Sequence, residues 1–196
     1  MNRSEIVELF FIAPIVNIPS ILTHGILSHK NVRRINHHSV AMPEIQTRRK
    51  DKQIPGAGKL HDYVNLYFDA HNPMLSKLRA RNDSICVLRV EAKILDLQGV
   101  IITDRNAASD WACFSPVGTG LNKIDKDRVF AQYWTHPENQ YDEWQHKSEK
   151  CAEILVPDCV PSDYLIGAYV ANETAKQMFL QITRDLPVEI KNDIFF

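Results

Sequence analysis

Ser148-Glu149-Lys150-Cys151-Ala152-Glu153-Ile154-Leu155-Val156, stopped by Pro157, is the stretch on which the reading of this chain turns. From Cys151 to Val156 it is apolar and partly β-branched, which predicts a short buried strand. Side chains alternate along a strand, so Glu153 shares a face with Cys151 and Leu155. A carboxylate in that place is costly to bury unless something pairs with it. Two readings follow. Glu153 is either a structural residue satisfied by an arginine or a backbone amide, or a single carboxylate aimed into a cleft.

Similar signals recur along the chain. Ile6 to Ile12 reads as a first strand, and Ser84 to Val90, Gly99 to Thr103 and Tyr164 to Val170 as others. Tyr63 to Asp69 alternates, with Val64, Leu66 and Phe68 on one face and Tyr63, Asn65 and Tyr67 on the other. A second face of polar-tipped rings suits a cleft wall. Asn17 is expected to cap a short helix that Gly25 ends. Pro43 to Lys50 and Leu121 to Tyr133 read as helical, and Thr103 to Asn106 is expected to open a small helix. Tyr133 to Lys147 is aromatic and polar without periodicity. Asn172 is expected to cap a last helix that packs Ala175, Met178, Phe179 and Ile182 into the core. Short strands irregularly interleaved with short helices predict an α+β fold rather than a regular doubly wound sheet. Neither a G-x-G-x-x-G run nor a Walker loop occurs, so neither nucleotide fold is supported.

At 196 residues the chain fits one domain, residues 1–196, with room for a real core. No apolar run approaches membrane-spanning length, and Met1 to Glu5 lacks the pattern of a secretory signal. The four cysteines show no C-x-x-C spacing, so free thiols in a reducing cytoplasm are expected. His and Cys do not cluster at zinc spacing, and no metal is expected. Net charge is −1, yet His29 to Lys59 carries eight Lys or Arg against Glu44 and Asp51. That segment is either a solvated basic loop or an anion-binding patch for phosphates. Aromatics interleaved with Lys and His between Tyr133 and Lys147 suit base stacking with phosphate contact.

Several segments line up, in order, with one family. They are Asn17-Ile18 with Gly25-Ile26-Leu27, Ile45-Gln46-Thr47-Arg48-Arg49, Leu60-His61-Asp62-Tyr63-Val64 with Tyr67-Phe68, and Asn72-Pro73-Met74-Leu75. Ile102 to Ala108, Tyr133-Trp134 and Lys150 to Val156 continue the match. The chain resembles the DarT family of DNA ADP-ribosyltransferase toxins over nearly its whole length, from about Leu9 to Tyr169. The resemblance implies the ADP-ribosyltransferase fold, a split and mainly antiparallel sheet with flanking short helices and NAD⁺ in the cleft. It implies Glu153 as the catalytic glutamate and the Arg48-Arg49 pair as the source of an essential arginine, Arg49 preferred. NAD⁺, consumed as co-substrate, would lie along Phe11, Ile12, Ala13, Asn17, Leu27, Arg48, Arg49 and Tyr67. Single-stranded DNA would meet Asn72, Met74, Arg105, Asn106, Tyr133, Trp134, Trp144, His146 and Lys147. A macrodomain antitoxin and a monomeric, cytoplasmic toxin are implied as well. Two places depart from the pattern. Phe10-Phe11-Ile12 stands where many members carry Tyr-His-Ile, and Asn106 where thymidine-modifying members carry His, so the base is thymine or guanine.

Two other readings compete. Asp83, Glu91 and Lys93 supply a triplet such as metal-dependent nucleases use to hold Mg²⁺. The basic segment and the Trp/Tyr stretch alone would serve a catalytically silent single-strand binding module.

Overall fold

The computed structural model describes residues 1–196. Strands β1 (Glu8–Pro14), β2 (Ile26–Leu27), β3 (Tyr63–Tyr67), β4 (Ile85–Glu91) and β5 (Ile101–Thr103) come first in the chain. They are followed by β6 (Phe114–Pro116), β7 (Glu153–Pro157), β8 (Cys159–Val160), β9 (Leu165–Val170) and β10 (Val188–Ile190). Eight of them form one sheet in the order β10-β9-β4-β1-β3-β7-β5-β6, and β2 pairs with β8 in a second. Only the β9–β10 edge is parallel. The fold is therefore α+β with a mainly antiparallel sheet.

That sheet is split in the middle. β1 and β3 meet at a single residue pair, Phe10 with Tyr67, whereas β1–β4 and β3–β7 are paired along their length. Continued antiparallel pairing would set Phe11 to Pro14 opposite Leu66 to Tyr63, but the strands diverge there instead. The resulting gap is the entrance of the main cleft, and Phe11, Ile12, Ala13 and Pro14 face it from one side.

The alternating patterns are resolved as two faces. Leu9 and Ala13 of β1, Val64 and Leu66 of β3, and Ile154 and Val156 of β7 enter the larger core. Helices α1 (Ile18–His24) and α8 (Glu173–Ile182) close that core with Ile18, Ile21, Ala175 and Phe179. Asn172 caps α8 through a bond to the Ala175 N–H. Gly25 ends α1 at φ +76°, and a Cβ there would stand 2.4 Å from the Val160 carbonyl oxygen, so only glycine fits beside β8. The other face of the sheet carries Tyr63, Asn65, Tyr67 and Glu153. Over it lies α3 (Pro43–Lys50), with α2 (His29–Val32) and α4 (Pro73–Lys77) nearby in sequence and cleft lining.

Four expectations are corrected. Asn17 does not cap α1: its side chain clasps His38 through both the carbonyl oxygen and the N–H. Thr103 to Asn106 opens no helix but a hydrogen-bonded loop between β5 and β6. Leu121 to Tyr133 holds only short turns of helix, among them α6 (Lys126–Val129), after the four-residue α5 (Val117–Gly120). Gln140–Glu149, read as aperiodic, is a helix, α7, capped by Asn139.

Candidate active site

Thr47, Arg48 and Arg49 fall in the last turns of α3, where cations meet the negative end of the helix dipole favourably. Successive helical residues point about 100° apart. Arg48 is exposed, while Arg49 turns inward and is 6% exposed. Its guanidinium forks onto Glu153: Nη1 donates to Oε1 and Nη2 to Oε2, both at 3.0 Å. The Ala107 N–H donates to Oε1 at 3.0 Å as well. Glu153 itself is fully buried. Its main-chain N–H donates to Thr103 Oγ1 at 3.1 Å, and that hydroxyl donates to the Arg105 carbonyl at 2.7 Å. Burial works to lower the Arg49 pKa, but the Glu153 charge and its hydrogen bonds outweigh it, and the value is raised. Tyr67, paired with Glu153 across β3 and β7, is pushed well above its ordinary value by burial first and then by that carboxylate. Burial pushes the Cys151 thiol up to about 12.

Glu153 is thus not the unpaired carboxylate of the second sequence reading. The face of β7 that carries it is closed by α3, and both oxygens are engaged. Arg49 borders the cleft while Glu153 lies directly behind it.

The cleft has a volume of about 970 Å³, the size of a large-ligand site. Phe11, Ile12, Ala13, Asn17, Leu27, Arg48, Arg49 and Tyr67 all line it. One wall is rich in imidazole: the His29 and His61 rings pack tilted with centroids 4.0 Å apart, and Arg33 reaches His29 at 3.2 Å. Burial first, then the charges of His29, Arg49 and Arg33, lower the His61 pKa to about 4. An unfolded histidine titrates near 6.5, so the unfolded chain takes up this proton first as pH falls. Stability from His61 is therefore full above about pH 6.5 and is lost progressively down to about 4. His61→Gln is expected to flatten that part of the curve, read as urea midpoints at about pH 7 and about pH 5.

The acceptor candidates divide. Met74, Asn106 and Lys147 line the cleft, and Tyr133 and Trp144 are exposed aromatics. Four others are used inside the fold. Asn72 is fully buried, its carbonyl oxygen caps α4 at the Met74 and Leu75 N–H groups, and its amide donates to Asp69 O. Asn72→Ala is expected to cost about 1–2 kcal/mol, seen in the urea midpoint, with DNA affinity unchanged. Arg105 pairs with Asp104 and Glu149. Trp134 is buried against His71 and Phe196. His146 is buried, bonded to His136 at 2.7 Å and to Arg128 O. Polar and aromatic residue types signalled a surface, but partners within the fold occupy them: local ones for Asn72, distant ones for Trp134 and His146.

The nuclease triplet does not converge. Asp83 precedes β4 and bonds to Asn172, whereas Glu91 ends β4 and pairs with Lys93. The seven residues of β4, roughly 20 Å of strand, lie between the turn that carries Asp83 and the end that carries Glu91. No group of three His, Cys, Asp or Glu side chains is placed to hold a metal ion.

Sequence reasoning missed Thr103, the Ala107 N–H, Lys52 and Trp111. A backbone amide carries no sequence signal, and Trp111 lies outside the Tyr133 to Lys147 stretch that drew the aromatic reading. It also missed the role of Lys150, whose fully buried ammonium pairs with Asp69 and donates to Val129 O at 2.7 Å, anchoring the corner before β7.

A mainly antiparallel sheet split over a buried arginine–glutamate pair, with a large cleft in the gap, agrees with the ADP-ribosyltransferase-like fold that the sequence resemblance implies. Comparison with known proteins narrows this. The family described as "DarT: ssDNA thymidine ADP-ribosyltransferase, DarT" matches residues 10–196. A DNA ADP-ribosyl transferase–DNA ADP-ribosyl glycohydrolase fusion protein of Thermosipho africanus is 34% identical over 96% of this chain and 49% of its own length. A DNA ADP-ribosyl transferase of Thermus aquaticus is 27% identical over 91% of this chain and 82% of its own. The structure of Thermus sp. 2.9 DarT in complex with ADP-ribosylated ssDNA superposes with a TM-score of 0.83 at 26% identity, covering 98% of this chain and 97% of that one. The chain belongs to the DarT family. It spans about half the length of the Thermosipho fusion protein and most of the Thermus relatives.

Proposed function

We propose that this chain transfers ADP-ribose from NAD⁺ to a thymine of single-stranded DNA, with Glu153 as the catalytic carboxylate and Arg49 as its partner. The observation that carries the reading is the forked Arg49–Glu153 pair at the edge of the cleft opened by the split sheet. The family's description names thymidine, which favours thymine over guanine, and a Thermus relative is described with ADP-ribosylated ssDNA, which supports the single strand as acceptor.

The chemistry suits these residues. In the reaction the bond from ribose to nicotinamide breaks, its electron pair leaves on the neutral nicotinamide, and positive charge builds on the ribose. Glu153 faces that charge and stabilises it, and takes the proton released when a base ring nitrogen bonds to the ribose carbon. Arg49 is suited to a pyrophosphate, whose oxygens its planar fork accommodates. Glu153 is sealed behind Arg49, so the pair has to loosen for the carboxylate to reach a ribose hydroxyl. An incoming phosphate competes for the same guanidinium. Exchange of one anion for another on Arg49 thus couples substrate entry to exposure of Glu153.

The protein acts in this reading as one domain, a monomeric toxin of the cytoplasm. No helix is long and apolar enough to cross a membrane. Its partner class is a macrodomain glycohydrolase that removes the modification, as the fused transferase and glycohydrolase of Thermosipho africanus suggests.

The test is direct. Protein, NAD⁺ and homopolymeric oligonucleotides carrying one thymine or one guanine are incubated, and the DNA is weighed by mass spectrometry. A gain of one ADP-ribose on the thymine strand, dependent on NAD⁺ and weak on duplex, is expected. An unchanged mass on every single strand would sink the reading.

A further inference from the structure

Trp111 sits on the loop between β5 and β6 and borders the cleft, yet it is 80% exposed. An indole in water adds little to the fold, because the large area it can bury is left wet. Nor is its loop loose. The Asn106 N–H donates to Ser148 O at 2.8 Å, the Trp111 N–H to Ser109 Oγ at 3.3 Å, and the Cys113 N–H to Asp104 Oδ1 at 2.8 Å. Lys52, just beyond α3, donates to Ser109 O at 2.9 Å and pairs with Asp110 at 3.3 Å. The same loop supplies the Ala107 N–H that holds Glu153. A bulky apolar ring is therefore presented to solvent on a backbone fixed to Glu153 and, through Lys52, to the chain just beyond α3. A fixed ring loses little freedom when a flat ligand stacks on it.

We infer that Trp111 is the stacking platform for a nucleobase adjacent to the modified one, an inference that rests on the proposed action on single-stranded DNA. The loop is joined through Asn106 to the end of α7, where Lys147 and Ser148 also line the cleft. Along α7, Tyr141 and Trp144 are 74% and 60% exposed. Positions 141, 144 and 148 fall on one face of a helix, so these rings lead towards the cleft. Exposed π-faces and a cation on this side match the way unpaired strands are bound without sequence readout. The imidazole and arginine wall of His29, His61 and Arg33 belongs to a different segment, α2 and the turn before β3. A base stacked on Trp111 also sets how far its neighbour stands from Glu153, because Ala107 and Trp111 share one short loop. A paired duplex offers no free base face to the indole.

The experiment measures binding apart from transfer. Fluorescence anisotropy of a labelled single-stranded oligonucleotide carrying one thymine is recorded with wild type, Trp111→Ala and Trp111→Phe, and NAD⁺ affinity is taken by calorimetry. Trp111→Ala is expected to weaken the oligonucleotide about tenfold, as loss of one stacked base predicts, with Trp111→Phe recovering most of it. NAD⁺ affinity should stay within about twofold, since the indole is assigned to the other ligand. Equal oligonucleotide affinity for Trp111→Ala and wild type overturns the inference. So does a loss confined to NAD⁺, which would set the ring against a cofactor base instead. A wild type that binds the strand but never modifies it fails only the proposed function. One that does not bind the strand at all overturns both.

Discussion

Alanine at Glu153 is expected to reduce transfer to DNA by ~10²–10³ or more, the scale of losing a principal electrostatic stabiliser. The same change is expected to weaken the fold. With Glu153 gone, the Arg49 guanidinium is left buried without its counter-charge, and breaking a buried pair in this way costs about 3–5 kcal/mol. In a chain of this size that lowers the melting temperature by roughly 10 °C. The prediction reverses what an unpaired carboxylate would give, since relieving an unpaired charge leaves stability unchanged or improved. Glu153→Gln separates the two effects. Its amide oxygen still accepts from the Ala107 N–H, so more of the stability survives while the negative charge proposed to stabilise the transition state is gone. Calorimetric melting and single-turnover transfer on the two purified variants provide the check. A Glu153→Gln protein keeping a tenth of wild-type transfer would remove Glu153 from the chemistry.

The strands that carry the site were legible because their periodicity is strong. Val64, Leu66 and Phe68 alternate with Tyr63, Asn65 and Tyr67, and the structure sends the first set into the core and the second towards the cleft. Cys151 to Val156 gave β7, and Ala175 and Phe179 gave α8. Helix α7 was not legible, because Gln140 to Glu149 has no apolar stripe to announce it. What holds it is distant in sequence: Arg128 reaches Asp142 and Glu149 at 2.6 and 3.0 Å. The parallel edge strand β10 and the three-residue β6 are too short for any period to show. Within the site, residue types alone left Glu153 between an ion-paired and a catalytic reading. The structure pairs it, and being paired is compatible with chemistry, because the partner itself borders the cleft. The choice between Arg48 and Arg49 turned on helix phase, which depends on where α3 docks. Asn72, Trp134 and His146 share one feature that their residue types do not show: each is polar or amphipathic, and each spends its hydrogen bonds or ring face internally.

Arg49→Ala is expected to be as damaging as the loss of Glu153, and for a related reason. It leaves a fully buried carboxylate with only the Ala107 N–H on its oxygens, so stability should fall by about 3–5 kcal/mol and transfer should be abolished. Arg49→Lys is not a conservative rescue. An ammonium is a point charge and cannot reproduce the two parallel bonds to Oε1 and Oε2. Lys50→Ala, one residue on and exposed, should leave stability within about 0.5 kcal/mol. It should weaken DNA binding only modestly and in a salt-dependent way. The decisive comparison is the double variant Arg49→Met with Glu153→Leu. Removing both charges together relieves their desolvation and leaves neither unpaired, an exchange that is often neutral or stabilising by about 1–4 kcal/mol. The double variant should therefore melt above both of its single variants while remaining inactive. Denaturant unfolding of wild type, Arg49→Met, Glu153→Leu and the double variant provides the cycle. If the two single losses simply add in the double variant, the fork between α3 and β7 contributes nothing as a pair, and its retention in the fold would need a cause other than the one argued from its geometry.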